Sequence, residues 1–502
     1  NTVLQDYDAE WVLERYLTAF AHAYDPHSGY LSPSSVEDFN IEMKLSLVGI
    51  GALLKSAEGT AEIVRVIPGG PADKDGRLQP GDRIIAVAQG DEEPTDIRHL
   101  PLNKTVRLIR GEKGTRVVLT VIPASDPTAS TSKKIDIIRD TVELEEQAAK
   151  YHIEEITHEE TSFRLGVVRL PNFYADVEAS MQNKKDYRSS SRDVRKILDQ
   201  LREENVDGLL LDLRNNGGGY LPEAVNMTGL FIKTGPVVQI RKGWRKSWLG
   251  DQDPSASYSG PMVVLVNRLS ASATEILAGA LQDYGRAIIV GDSKTHGKGS
   301  VQAIADLDEN ENHGKIKVTT SLFYRISGAS TQLKGITPDI ILPSPSDYMK
   351  IGEDHLQNAI EWTRTHPAHY EPLADLSQTT TQLRRKSRQR RNSNPGFEKY
   401  TGLLQKIEKM YDSGKVPLQL EKRIKLATTE HKVSELQEEL SEWEREEPDT
   451  KNDVVLAESL KILADLSQMQ GKQPYPYLAS NPGNNTKDIS ETLSEWLDMF
   501  FK

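Results

Sequence analysis

The sequence predicts a mixed α/β protein of roughly two to four domains, and three observations predict it. Between Lys44 and Ala124, short apolar runs punctuated by glycine read as a small β-rich module. From Leu165 to Val290, apolar runs alternate with helical segments, the mark of a buried sheet with helices packed on it. Beyond Pro345 the pattern turns helical, charged and long. At 502 residues the chain is too long for one core.

Taken in order, residues 1–43 start with an amphipathic helix in which Trp11, Val12, Tyr16, Leu17 and Phe20 recur at helical spacing, ended by the turn Asp25-Pro26-His27-Ser28-Gly29. In residues 44–124 the expected strands are Leu45–Leu54, Ala61–Ile67, Arg83–Val87, Thr105–Ile109 and Val117–Ile122. Residues 125–162 are Ser/Thr/Lys rich, then Glu rich, and read as a linker with one or two strands. The runs Leu165–Leu170, Gly208–Leu213, Met262–Val266 and Ala287–Val290 supply the buried strands of a unit extending over 125–345. Residues 346–502 form a helical region, with helices from Glu353 to Gln470 and a Pro/Gly/Asn linker at 472–486. A terminal amphipathic helix there carries Ile489, Leu493, Trp496, Leu497 and Phe500.

A net charge of -12 argues against a general affinity for nucleic acid, which needs a cationic surface. The basic run from Arg384 to Arg391 reads as a solvated helix face, with a polyanion site as the alternative. Because the chain has no cysteine, thiol nucleophiles, disulfides and Cys-ligated metals are excluded. No run of 18 apolar residues appears, and the chain opens in polar helix where a signal peptide would be apolar, so its amino end reads as trimmed.

Three segments, each at the carboxyl end of an expected strand, could do chemistry. Asp212-Leu213-Arg214-Asn215-Asn216-Gly217-Gly218-Gly219 brings bare backbone N–H groups to a strand-to-helix crossing, where they can approach an anionic oxygen; a flexible turn is the plainer reading. Asn267-Arg268-Leu269-Ser270-Ala271-Ser272-Ala273-Thr274-Glu275 places three hydroxyls before a helix, more than one N-cap requires. The N–H of Ala273 there points to where a tetrahedral oxyanion beside Ser272 would form. Gly291 to Gln302 resembles a phosphate loop, but five residues separate Gly291 from Gly297 where four are needed, and Gly299 stands where the magnesium-binding hydroxyl belongs. Read instead as a loop entering a strand, it sets Lys298, Ser300 and Gln302 on one face, and Gln302 can hold Lys298. Burial between glycines lowers a lysine's pKa and frees a neutral amine to act as base without any histidine. His296 reads as a loop residue. Neither a Gly-x-Ser-x-Gly elbow nor a His-Glu-x-x-His helix is present.

These segments resemble the signature of the carboxyl-terminal processing peptidases, which include the bacterial tail-specific proteases. The resemblance rests on Asn267 to Ala280 and Gly297 to Gln302. It extends to Asp25-Pro26-His27-Ser28-Gly29-Tyr30-Leu31-Ser32-Pro33, Ser46 to Ala52, Phe323 to Gly328 and Ser330 to Ile340. It is tight from about Ala19 to Pro343 and holds only in character over the helical tail.

The resemblance implies a crotonase-like α/β serine protease core with an inserted PDZ domain at 44–124 and flanking helical regions. It implies Ser272 as nucleophile, Lys298 as general base, Gln302 as the residue that orients the lysine, and the N–H groups of Gly218 and Ala273 as the oxyanion hole, with no metal or cofactor. Val48, Gly49, Ile50 and Gly51 would receive a substrate's terminal carboxylate while the peptide adds as a strand beside Gly51–Leu54. The substrates implied are proteins with apolar free carboxyl termini, and the location is the bacterial periplasm or envelope. Some members work with a helical-repeat lipoprotein adaptor. One departure stands out: the loop Ser293-Lys294-Thr295-His296 is a residue longer than usual and brings a second amine, Lys294, near the site. Two other readings compete, a catalytically silent PDZ scaffold and an acyl-CoA-handling enzyme on the same core.

Overall fold

The computed structural model describes residues 9–126, 128, 130–182, 184, 186–307, 313–411, 418–424, 427–428 and 453–471. The expected linker at 472–486 and the terminal amphipathic helix lie outside them. The chain divides into two compact units, one drawn from Asn1–Leu17, Leu31–Gln147 and Asn312–Gly314, the other from Thr18–Tyr30, Ala148–Glu311 and Lys315–Lys502. The expected amino-terminal helix forms as Ala9–Ala21, and none of its residues is buried.

In the first unit, alternating apolar and polar residues build an antiparallel sheet in the order Ala52–Ala57, Thr60–Val66, Arg83–Gln89, Arg116–Ile122, Lys133–Ile138. Its core buries Ile63, Ile84, Val87, Val117, Leu119 and Ile135. One expectation fails here and another holds only in part. Thr105–Ile109 is the second half of a helix, Leu102–Ile109, whose buried residues Thr105 and Ile109 stand four apart. The β-branched run there follows the helical period after Pro101. The stretch expected as a linker with one or two strands does hold strands, but they belong to the folded unit: Lys133–Ile138 completes the sheet by turning Ile135 and Ile137 inward, and Asp140–Glu143 pairs with Ser46–Gly49. Ala52–Ala57 is left as the sheet's edge strand, with the helix Leu102–Ile109 against it.

The second unit is built on a sheet in the order Lys150–His158, Thr161–Arg169, Gly208–Asp212, Met262–Val266, Ile288–Gly291, Ile340–Ile341. Its first pair is antiparallel and the others are parallel. Gly208–Asp212 and Met262–Val266 are buried throughout, as continuous apolar runs in a parallel sheet require. Because these strands run parallel, all three segments singled out for chemistry leave the sheet at the same end. A second sheet pairs Lys315–Tyr324 with Ser300–Asp306 and with Gly235–Lys242.

The helical tail starts later than its composition predicts. Residues 356–376 contain no helix, and Ser377–Ser393, Pro395–Tyr411 and Val454–Gln470 follow. Val454–Gln470 is a core element: Leu456, Leu460, Leu463 and Leu466 cluster with Leu210, Val263 and Ile288 of the sheet. The basic run is only partly the solvated face expected of it. Arg385 and Arg388 are exposed, whereas Lys386 and Arg390 bond the wholly buried Asp465 at 2.8 and 2.5 Å, and Arg390 also bonds Glu458. His158 and Glu159 gather near Asp465, but the two cations already neutralise that carboxylate, so the cluster is an ion-pair network. Asp465→Asn removes the shared counter-charge and is expected to cost about 3–5 kcal/mol of stability, read from urea unfolding.

Candidate active site

Ser272 ends the loop after Met262–Val266 and is the N-cap residue of the helix Ala273–Asp283. The neighbouring hydroxyls have structural work. Ser270 Oγ accepts from Asn267 N–H and donates to Leu213 O, both at 2.9 Å, and Thr274 Oγ1 donates to Asn216 O at 2.9 Å. Both tie the serine loop to the glycine loop, and Ser272 itself stays partly exposed. Its backbone lies at φ 57° and ψ -114°. A non-glycine residue enters that region only under constraint, at a cost on the order of 1–3 kcal/mol.

The constraint comes from Glu275, to which the sequence alone assigns no role. Its buried carboxylate takes four hydrogen bonds. Oε2 accepts from the backbone N–H groups of Ser272 (2.8 Å) and Lys298 (2.9 Å), and Oε1 from Gly297 N–H (2.7 Å) and Thr295 Oγ1 (2.5 Å). One oxygen therefore brings the backbones of Ser272 and Lys298 within two hydrogen-bond lengths of each other. Burial pushes the Glu275 carboxyl up to about 7, against the hydrogen bonds that favour its ionised form. The available signal was Ser272-x-x-Glu275, a capping-box pattern.

The Lys298 amine donates to Gln302 Oε1 at 2.5 Å, and Gln302 Nε2 donates to Ser300 Oγ (2.9 Å) and Thr319 Oγ1 (3.0 Å). Burial, seconded by repulsion from Lys317, lowers the Lys298 pKa to about 8, against the attraction of Glu353, Glu275 and Asp25. Among the described residues no hydrogen bond joins Lys298 Nζ to Ser272 Oγ. The extra amine in the long loop is engaged elsewhere, since Lys294 Nζ donates to Leu333 O (3.0 Å) and Asp354 (2.8 Å). His296 donates its backbone N–H to Ser270 O (3.0 Å), and burial lowers its ring pKa.

Gly218 lies directly against the serine. A Cβ there would stand 2.9 Å from Ser272 Cβ, 3.0 Å from Ala271 O and 3.1 Å from Ala273 N, and its φ of 108° favours glycine in any case. The two N–H groups expected to hold an oxyanion are thus neighbours, but that of Gly218 donates to Asn216 Oδ1 at 2.9 Å in this structure. At the head of this loop Arg214 bonds Asp212 and Asp453, each at 2.8 Å, and Asp453 is the N-cap of Val454–Gln470.

In the first unit, Val48 and Gly49 are paired with Thr141 and Asp140. The carbonyls of Ile50 and Gly51 accept from Ala72 N–H (2.8 Å) and Ile67 N–H (2.9 Å). Among the described residues the N–H groups of Ile50 and Gly51 have no backbone acceptor, and they lead into the edge strand Ala52–Ala57.

The family model for peptidase family S41 matches residues 164–342, and that for the PDZ domain matches 38–122. Models for the tail-specific protease N-terminal and C-terminal domains match 1–34 and 346–468. A tail-specific protease of Haemophilus influenzae is 39% identical over 376 residues, covering 74% of this chain and 51% of that protein, so the chain spans about half of that relative's length. A carboxy-terminal-processing protease of Bartonella bacilliformis is 32% identical over 372 residues, covering 70% of this chain and 76% of that protein. Among solved structures, a photosystem II D1 C-terminal processing protease is 25% identical with a TM-score of 0.37, covering 67% of this chain and 82% of that one. Four family matches in order along the sequence, together with this degree of identity, show that the chain belongs to the S41 family of carboxyl-terminal processing, or tail-specific, peptidases and carries a PDZ domain.

Proposed function

We propose that the chain is a tail-specific serine endopeptidase of the bacterial periplasm or envelope that cleaves proteins with apolar free carboxyl termini by a Ser272–Lys298 mechanism. The observation that carries this reading is the shared carboxylate: Glu275 Oε2 accepts from Ser272 and Lys298 at once, in loops that also hold Gly218 against the serine. Neutral Lys298 takes the Ser272 proton as Oγ attacks the peptide carbonyl carbon. The resulting oxyanion is held by the N–H of Ala273 and by that of Gly218, once the latter exchanges Asn216 for it. The lysinium gives its proton to the departing amine, the C–N bond breaks, and an acyl ester remains on Ser272. Water, deprotonated by Lys298, then hydrolyses the ester and returns the serine. Of the expected residues Val48, Gly49, Ile50 and Gly51, the first two are held in the ladder with Thr141 and Asp140, so the N–H groups of Ile50 and Gly51 receive the substrate's terminal carboxylate, and the preceding residues add as a strand to the edge Ala52–Ala57. The location is supported by kinship with bacterial tail-specific proteases; no described helix is long and apolar enough to cross a membrane.

The test sets the chain beside Ser272→Ala on an unstructured protein ending in an apolar carboxylate, and on the same protein amidated at its end. Cleavage by the unsubstituted chain alone, slower on the amidated protein, is the expected result. Equal cleavage by both chains removes the proposal, and tail binding with cleavage by neither favours the silent scaffold.

A further inference from the structure

The turn Asp25-Pro26-His27-Ser28 takes no part in the chemistry above, yet its polar atoms are committed to the surroundings of Lys298. Asp25 is buried, and its carboxylate accepts from His27 N–H (2.9 Å), Ser28 N–H (3.0 Å), Ser28 Oγ (2.5 Å) and Thr319 Oγ1 (2.8 Å). Thr319 stands opposite Gln302 in the ladder between Lys315–Tyr324 and Ser300–Asp306, and its N–H donates to Ser28 Oγ at 3.0 Å. A continuous path of hydrogen bonds therefore runs from Asp25 through Thr319 and Gln302 to the Lys298 amine. The same turn also reaches the backbone next to the lysine. His27 Nε2 lies 2.8 Å from Glu353, Glu353 accepts from Gln332 Nε2 (2.8 Å), and Gln332 Oε1 accepts from Gly299 N–H (2.7 Å).

The path has a direction, and Asp25 sets it. Burial pushes the Asp25 carboxyl up, but its hydrogen bonds outweigh burial and hold it below the usual range, so at neutral pH it only accepts. The Thr319 hydroxyl proton is thereby committed to Asp25, and Thr319 Oγ1 offers a lone pair to Gln302. That fixes the Gln302 amide with its NH₂ toward Thr319 and Ser300 and its carbonyl toward Lys298. The reverse orientation would set an NH₂ group against the lysine's own amine. With one N–H of Lys298 committed to Gln302 Oε1, the lone pair of the neutral amine is left for the serine proton. We propose that Asp25 is a positioning residue for the Lys298 base, acting through Thr319 and Gln302. The inference rests on the Ser272–Lys298 reading above.

The experiment measures kcat and KM for Asp25→Ala, Thr319→Val, their combination and Thr319→Ser in the full chain, with Ser272→Ala as control and thermal unfolding recorded for each. A misaimed base costs on the order of 100-fold. That loss is expected in kcat for Asp25→Ala, which removes the acceptor of the Thr319 hydroxyl, and for Thr319→Val, with KM little changed. The combination should be no worse than either single change, because both cut one path, and Thr319→Ser, which keeps the hydroxyl, should recover most of the rate. Unchanged kcat in the two single variants, or losses that multiply in the combination, overturns the inference while Ser272→Ala remains inactive. Cleavage that survives in Ser272→Ala overturns instead the mechanism on which it rests. If Asp25→Ala fails to fold, Thr319→Val against Thr319→Ser decides alone: equal rates in those two overturn the inference.

Discussion

Lys298→Met is expected to abolish cleavage and to leave the fold as stable as before, or more so. General-base removal costs on the order of 10²- to 10⁴-fold in rate. Methionine matches the buried stem and carries no charge to desolvate. The sign of the stability effect follows from the lowered pKa. The folded chain disfavours the Lys298 proton, so below about 8 the buried ammonium costs stability, and this cost disappears with the amine. The same ionisation sets the pH dependence of the unsubstituted chain. Below about 8, each pH unit removes about nine-tenths of the remaining neutral amine, so kcat/KM should fall about tenfold per unit. Glu275, at about 7, steepens the fall further down, because its proton must settle on a carboxylate to which only donors point. A rate flat down to pH 5, or a Lys298→Met chain that still cleaves, contradicts the assignment.

Gly218→Ala carries the second large effect. The added methyl would meet Ser272 Cβ at 2.9 Å and Ala271 O at 3.0 Å, in a backbone conformation at φ 108° that alanine adopts only under strain. Displacing one oxyanion donor costs about 10²- to 10³-fold in kcat, and the strained backbone adds about 1–3 kcal/mol of destabilisation. Gly217→Ala is the control, since a Cβ at that neighbouring position meets no atom within 4 Å. The pair is read by kcat and thermal unfolding together. Near-normal kcat in Gly218→Ala, with the fold intact, removes Gly218 from the oxyanion site.

The parts of this protein legible in its sequence are those decided by neighbours along the chain. Met262–Val266 and Gly208–Asp212 are buried on both faces and therefore read as unbroken apolar runs. The loops that follow stand out because a parallel sheet brings their strand ends together. Where a partner from elsewhere decides the outcome, the sequence is mute or misleading. Leu102–Ile109 carries β-branched residues and is helical because its neighbours bury one face of it. Lys386 and Arg390 look solvated until Asp465 and Glu458 arrive from a helix far along the chain. Glu275 looks like an ordinary residue of a helix's first turn, although its four donors come from two separate loops. Asp25 reads as part of a turn, and its bond to Thr319 joins residues 294 apart in sequence.

The coupling of Arg214 to Asp453 has a consequence for how the protein is made. A ribosome delivers Ser272 and Lys298 well before it delivers residues 453–470, which pack on the sheet and, through Asp453, anchor the head of the glycine loop. Until residue 470 has emerged, the nascent chain holds its reactive groups without the frame that aligns them. On the proposed mechanism, a chain that stops short of residue 453 is therefore expected to lack cleavage even though it carries Ser272 and Lys298.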